Sequence, residues 1–260
     1  MSMRVASLAS GSSGNSYYLE CDEGAILVDA GLSGKAILHN LRLAGGDPGK
    51  IVGVVVTHDH SDHASGAGVL SRRYGWRLWM TEGTRESCRS LGGADVKFVK
   101  AGSGLKAAGF AIEFIGTPHD GADPVIVAVE RAGARCGVFT DLGHAFAGLA
   151  DHLSRLDFAF LESNYDPGLL AKNRRYPAGL KRRISGPSGH LSNGESAKLL
   201  ASVPGTRLRR VVLSHLSEEN NRPDLARGCF RGELGERMRE LDLKIGVAER
   251  YCPMRLCPAL

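Results

Sequence analysis

Several features are scarce in this chain of 260 residues, and each scarcity excludes a class of protein. No apolar run approaches the ~18 residues that a membrane-spanning helix needs. Residues 1–11 hold one early Arg but no long apolar segment and no small-residue cleavage site, so no secretory leader is expected. The six cysteines, Cys21, Cys88, Cys136, Cys229, Cys252 and Cys257, form no C-x-x-C pair. They are scattered through a chain long enough to bury a core, which points to reduced thiols in a cytoplasmic protein. Cys252 and Cys257 are close, but no second ligand pair follows to complete a structural zinc site. Aromatics make up only 6% of residues, and no low-complexity tract or long linker divides the chain. Charge of neither sign dominates: 33 Lys+Arg against 28 Asp+Glu leaves a net +5, which permits an anionic partner without demanding one.

Glycine is plentiful, at 34 residues, and 43% of the chain is hydrophobic. Enough apolar surface exists to offset chain entropy, and turns are abundant. Short β-branched runs recur: Met3–Leu8, Tyr17–Glu20, Ala25–Val28, Ile51–Val56, Trp76–Met80, Phe110–Ile115, Val125–Glu130, Arg135–Thr140, Phe158–Leu161 and Arg209–Leu213. Helical patterns are interleaved near Ile37–Leu41, Ala64–Tyr74, Glu82–Ser90, Leu199–Leu200 and Pro223–Leu241. Both halves are strand-rich, and both place His or Asp directly after a strand. This grammar predicts a single domain over residues 1–260, an α/β fold of two stacked mixed β-sheets with helices outside, in four αββα layers.

The chemistry concentrates in His58-Asp59-His60-Ser61-Asp62-His63, which follows the buried run Ile51–Val56. Four ligand-type side chains, His58, His60, Asp62 and His63, leave a rigid strand root. In extended geometry His58, His60 and Asp62 alternate to one side and His63 falls opposite, so one loop could serve two adjacent metals. The i, i+4 histidines of a helical zinc protease are absent. Two metals need further ligands, and strand ends offer them: His119 after Phe110–Ile115, Asp141 after Arg135–Thr140, and His215 after Arg209–Leu213. Pro118 stiffens the backbone before His119. Taken singly, each is equally a polar residue at a sheet rim.

In this order, His58, His60, Asp62, His63, His119, Asp141 and His215 resemble the signature of the metallo-β-lactamase superfamily, and Asp29 at the end of an early strand resembles its first motif. The likeness spans Arg4 to about Cys252. Local strings are similar to those of the YycJ/WalJ branch, whose members resemble exonucleases. They are Leu8–Ser16, Glu162-Ser163-Asn164-Tyr165-Asp166, Gly189-His190-Leu191-Ser192-Asn193 and Ser214–Asn221. That branch commonly has His where Tyr165 stands, so no catalytic role is expected of position 165.

The resemblance implies that His58, His60 and His119 bind one divalent metal, that Asp62, His63 and His215 bind a second, and that Asp141 bridges both. Asp29 would orient a ligand from behind. The donors are nitrogen and oxygen only, which suits zinc or manganese. Iron is not expected, because diiron relatives carry an acid where His60 stands. Such a site would hold a bridging hydroxide, its pKa brought from 15.7 towards about 7, for attack on phosphorus. Asp62, Asp141 and His190 are the expected catalytic residues. His190 would serve as phosphate ligand or general acid, or else only begin a helix.

Residues 167–194 contain no Asp or Glu but carry Lys172, Arg174, Arg175, Lys181, Arg182 and Arg183. Beside a dinuclear site they would suit a polyphosphate backbone, or they form a solvated helix face. Tyr165 and Tyr176 could stack on bases. Asn220, after His215, offers a polar group at the rim or ends a turn. The leading expectation is a 5′→3′ exodeoxyribonuclease-like phosphodiesterase with DNA as substrate. The alternatives are a small-molecule phosphodiesterase or thioester hydrolase on the same scaffold, and a nucleic-acid-binding protein without turnover.

Overall fold

A computed structural model describes residues 3–203 and 206–260. The strands are β1 (Arg4–Ala9), β2 (Ser16–Cys21), β3 (Gly24–Val28), β4 (Ile51–Val55), β5 (Arg77–Met80), β6 (Val96–Phe98), β7 (Gly104–Ala107), β8 (Phe110–Gly116), β9 (Val125–Arg131), β10 (Ala134–Phe139), β11 (Phe158–Glu162), β12 (Arg210–Ser214), β13 (Lys244–Val247) and β14 (Cys257–Pro258). The helices are α1 (Gly34–Ala44), α2 (Ser61–Ala64), α3 (Ala67–Tyr74), α4 (Glu82–Ser87), α5 (Leu149–Ser154), α6 (Pro167–Lys172), α7 (Ala178–Ile184), α8 (Asn193–Ser202), α9 (Pro223–Leu234) and α10 (Arg237–Glu240).

The strands build two seven-stranded mixed sheets, ordered β14-β1-β2-β3-β4-β5-β6 and β13-β12-β11-β10-β9-β8-β7. The apolar faces of the two sheets meet in one core, where Tyr17, Ile26 and Val28 face Phe114, Val127 and Phe160. The Tyr17 and Phe160 rings lie 4.7 Å apart. Each large side chain buried there contributes roughly 1.5–3 kcal/mol of transfer free energy. Helices cover the outer faces. Ile37, Leu38 and Leu41 of α1 and Leu70 of α3 seal the first sheet. Leu153 of α5, Leu199 of α8 and Phe230 of α9 seal the second. The result is the expected αββα sandwich.

Local chemistry starts and stops these helices. Ser33 caps α1 by accepting from the Ala36 N–H, and Gly45 ends it at φ 90°. Ser192 and Glu195 form a reciprocal capping box at the start of α8. Three expected elements differ in form. The run Ala64–Tyr74 breaks at Ser65-Gly66 into α2 and α3; the run to Ser90 gives way after α4 to a 3-10 turn, Arg89–Leu91; and Pro223–Leu241 is two helices. The short, half-exposed strands β6 and β7 and the helices α5, α6 and α7 carry too little apolar pattern to be expected from sequence. Among the described residues no helix is long and apolar enough to cross a membrane, and the six cysteines are free thiols.

One feature of the topology positions the site. In the first sheet β3 and β4 run parallel. In the second β10, β11 and β12 run parallel. β8 and β10 are both antiparallel to β9, so β8 shares the β10 direction. The C-terminal ends of all six strands open on one edge of the sandwich, where residues following both sheets meet, as His63 and Asp62 do with Asp141 and His215.

Candidate metal centre

At that edge the chain turns abruptly three times. Asp29, Asp141 and His215 follow β3, β10 and β12 with φ of 63°, 60° and 59°. A non-glycine residue in this left-handed region costs about 1–3 kcal/mol, and it persists where surrounding contacts over-determine it. The contacts are present. Asp29 accepts from the Thr57 N–H at 2.9 Å and lies 2.7 Å from His63 Nδ1. The His215 N–H donates to Ser10 Oγ at 2.7 Å, and the His215 carbonyl accepts from Asn164 Nδ2 at 2.7 Å.

The central motif does not run extended. His58 leaves β4 and is buried, but Ser61–Ala64 forms a helical turn with His60 at its N-cap. The helical turn replaces the alternation expected of a strand and brings Asp62 and His63 to the same centre. Gly31 permits the close approach: a Cβ there would stand 1.7 Å from the Asp62 carbonyl oxygen.

The side chains assemble into overlapping groups. His58, His60 and His119 offer ring nitrogens within 4.8 Å of one another, and a carboxylate oxygen of Asp62 lies as close to ring nitrogens of His63 and His215. Asp141 sits between the two trios. Its Oδ2 is 3.2 Å from His63 Nε2, and its Oδ1 is 3.6 Å from His119 Nε2 and 3.4 Å from His215 Nδ1. A further group joins Asp141, Glu162, His190 and His215. Asp29 stays behind the cluster, fully buried, in contact with His63 rather than with the cavity.

These residues fit divalent ions. His58 Nε2 is buried without a hydrogen-bond partner among the described residues, and Asp141 Oδ2 likewise accepts no hydrogen bond. Buried polar atoms are rarely left this way unless an ion or water completes them. The electrostatics agree. Burial, reinforced by neighbouring imidazoles, holds His58 well below the usual histidine pKa. Burial also opposes charge on His63 and His215, but the carboxylates overcome it: Asp141, Asp29 and Asp62 raise His63 well above its usual value, and Asp141 and Asp62 push His215 up to about 10. Asp62 and Asp141 are drawn below the carboxylate range by the same histidines, against their own burial. Protons thus stand in for cations among converging carboxylates.

The cluster floors a cavity of about 320 Å³. Its wall is the segment that holds α6 and α7, docked through backbone contacts: His119 Nδ1 lies 2.9 Å from the Gly189 carbonyl, and Asp120 N–H donates to the Ser188 carbonyl at 3.1 Å. His190 lines the cavity, with Nδ1 2.8 Å from Glu162 Oε1. Ser192, not His190, caps α8, which leaves the His190 ring to the site.

The substrate-side expectations separate sharply. Of the six basic residues in residues 167–194, only Arg183 lines the cavity, where its Nε donates to Asp120 Oδ2 at 2.5 Å. Lys172, Arg174, Arg175, Lys181 and Arg182 lie outside it. Arg175 pairs with Glu219, and Lys181 donates to the Ala171 carbonyl. Asn220 is corrected outright: it is fully buried, bonded to Ser217 and Asn173, and cannot serve as a rim group. Tyr165 is also corrected, being 5% exposed and paired with Ser192, with no face for a base. Tyr176 does line the cavity.

Three participants went unassigned in the sequence. Glu162 ends β11 just as Asp141 follows β10 and His215 follows β12, so the strand-end signal was present. Asn164 orients His215, and Asn15 Nδ2 reaches 3.1 Å from His63 Nε2. Neither has a spacing that marks it.

Comparison with known proteins accords with this geometry. A sequence profile of the metallo-beta-lactamase superfamily matches residues 9–144. The exodeoxyribonuclease YycJ of Bacillus anthracis is 36% identical over 231 residues, 87% of this chain and 87% of that one. The exodeoxyribonuclease WalJ of Streptococcus pneumoniae serotype 2 (strain D39 / NCTC 7466) is 35% identical over 246 residues, 92% of this chain and 90% of that one. Among solved structures, the metallo-beta-lactamase fold protein YhfI from Bacillus subtilis superposes with a TM-score of 0.73 at 18% identity, over 97% of this chain and 99% of that one. The fold, the converging His and Asp donors and these relatives together establish that the chain belongs to the metallo-beta-lactamase superfamily and is a metal-dependent hydrolase.

Proposed function

We propose that this hydrolase is a phosphodiesterase that removes nucleotides from DNA ends, with two divalent ions as cofactors. His58, His60 and His119 would hold one ion, Asp62, His63 and His215 the other, and Asp141 would bridge them. The donor set contains no thiolate, which suits zinc and also manganese. Ions held there supply Lewis acidity and lower the pKa of water to about 7 at the reacting phosphorus.

The chain's own groups have distinct tasks. Asp29 fixes His63 through Nδ1, so that Nε2 points inward. Glu162 holds the Nδ1 proton of His190, so that in the imidazolium form the second proton sits on Nε2, where it can bind a phosphoryl oxygen or pass to the leaving oxygen. Arg183 presents a guanidinium to the cavity, where phosphate can compete with Asp120 for its N–H groups. Tyr176, at the same wall, offers a ring to a base.

The observation that carries the reading is the roof itself. Residues 167–194, without a single Asp or Glu, dock directly over the candidate metal ligands and lower Arg183 into the cavity. The relatives named as exodeoxyribonucleases, similar over about nine tenths of the chain, support DNA as substrate. A 5′→3′ direction is part of the proposal and rests on the likeness of the local sequence strings to the YycJ/WalJ branch. The test is a metal-reconstituted assay with 5′- and 3′-labelled single- and double-stranded DNA beside a small chromogenic diester, with Asp141→Ala as control. Progressive shortening that the control lacks is the expected result. Cleavage of the diester with DNA untouched would overturn the reading.

A further inference from the structure

A second feature lies on the outer face of the first sheet. Helices α1 and α3 lie side by side and leave between them a groove of about 650 Å³. Its walls carry Lys35 and Arg42 from α1 and Arg73 and Tyr74 from α3; its floor is Leu38 and Leu70. Neither wall contains an acid: no Asp or Glu occurs in residues 30–46 or 63–81. Lys35, Arg42 and Arg73 are exposed, and among the described residues none of them pairs with a carboxylate. This differs from the segment over the cavity, where Arg175 and Arg183 are both tied to acids.

The groove also holds an aromatic platform. Tyr74 is 40% exposed, yet its ring is fixed by stacking on the buried Trp76, with centroids 5.1 Å apart and planes inclined by 28°. The Arg73 guanidinium lies over the Tyr74 ring, 5.6 Å from its centroid, as an exposed side chain that a stacking base must displace. A fixed ring beside a cation suits a nucleobase above and a phosphate alongside.

The groove and the site are joined through one short stretch of chain. Ser61 and Asp62 of α2 line the catalytic cavity, and Ser65 and Gly66, directly after α2, line the groove. Ser65 Oγ donates to the Gly31 carbonyl at 3.0 Å, and the Gly66 N–H to the Ala30 carbonyl at 2.8 Å, which fixes this stretch against the loop after β3. Along one wall, α1, with 11 residues, is about 16 Å long.

We infer that the α1–α3 groove is a secondary binding track for single-stranded nucleic acid, taking phosphates on Lys35, Arg42 and Arg73 and a base on Tyr74. The inference rests on the nuclease reading for its substrate class but concerns a surface that the reaction itself does not need. Charge complementarity selects the occupant: an unpaired cationic groove with an apolar floor and one presented ring fits a flexible polyanion with exposed bases better than a folded acidic surface.

The test is equilibrium binding of a fluorescent, nuclease-resistant phosphorothioate oligothymidylate of about twenty nucleotides, across a salt series, to the metal-loaded protein. Each lost phosphate contact lowers the logarithmic salt slope by about 0.7, so Lys35→Gln/Arg42→Gln/Arg73→Gln should lower it by about 2. Tyr74→Ala should weaken binding about tenfold with the slope unchanged, and Tyr74→Phe should restore it. All four side chains are exposed, and turnover of a small chromogenic diester should stay at the wild-type level as a check on the fold. An unchanged slope in the triple variant overturns the groove, even if the enzyme degrades DNA normally. A lower slope with Tyr74→Ala unchanged, and equal competition by polyglutamate, reduces the groove to a general anion surface and also overturns it. Failure to cleave DNA, with slope and Tyr74 effects intact, would instead count against the nuclease reading and leave the groove standing.

Discussion

Glu162 grips His190 from below: Oε1 lies 2.8 Å from His190 Nδ1, while Oε2 accepts from the Leu142 N–H at 3.0 Å and the Leu191 N–H at 3.2 Å. A buried carboxylate with both oxygens engaged is a rigid anchor. Burial works against its charge, but His190 and His215 draw it well below the usual range for glutamate.

Glu162→Gln keeps the size of the anchor but removes the charge that holds the Nδ1 proton. Turnover should fall about 10²-fold, at the lower end of what general acid–base groups contribute. Metal content, read by elemental analysis, should stay at the wild-type level. Loss of metal would move Glu162 into the ligand set, a role its proximity to Asp141 and His215 permits.

Metal loading should release protons. Without metal, His215 carries a proton up to about pH 10 and His63 is raised in the same direction. Bound to metal, an imidazole must be neutral. Metal affinity should therefore rise with pH through this range. The metal-free fold has the opposite dependence. The folded pKa of His215 lies above its unfolded value near 6.5, so its stabilising effect is complete below 6.5 and lost as pH rises through about 10. Melting curves of chelator-treated protein should shift downward from pH 6.5 to 10, while those of loaded protein change less. Parallel curves would contradict the protonated cluster.

Much of this centre was legible because several of its donors follow apolar runs. Ile51–Val55 delivers His58, Ala134–Phe139 delivers Asp141, and Arg210–Ser214 delivers His215. Parallel strand direction then gathers residues far apart in sequence. What escaped was decided by partners that are remote in the chain. Asn220 is buried where Asn173 and Ser217 satisfy it, and Tyr165 is buried where its backbone bridges to Ser192. Helices α6 and α7 bury one residue, Leu170, and none, so no apolar stripe announces them. They are held by docking contacts at Gly143, Gly189 and Asp120 rather than by periodicity.

Gly189 is the narrowest of those contacts. A Cβ there would stand 2.2 Å from the carbonyl oxygens of both Arg183 and Ile184. Backbone cannot yield as a side-chain tip can, so Gly189→Ala should cost about 1–3 kcal/mol and displace His190. Turnover should fall more than thermal stability predicts. Gly179, in α7, faces open space and provides the control. Gly179→Ala should be neutral or slightly stabilising, because alanine favours the helix by about 1 kcal/mol. Equal behaviour of the two variants would remove the close turn from the account.

Arg183 and its neighbours on α7 should separate by substrate. Arg183 reaches the cavity and is held at Asp120, whose other oxygen lies 3.4 Å from His60 Nε2. On the proposed function, a guanidinium there would meet the scissile phosphate of any substrate, large or small. Hydrogen bonds to charged groups contribute about 1.5–3 kcal/mol, so Arg183→Ala should raise KM roughly 10- to 100-fold on DNA and on a small diester alike. Lys181 and Arg182 lie on the same helix but outside the cavity. Lys181→Glu/Arg182→Glu should therefore weaken long DNA and spare the small diester, and raising the salt concentration should shrink the difference as outer phosphate contacts are screened. If the double variant damages both substrates equally, α7 acts on the cavity through its packing, and its outer face has no part in holding DNA.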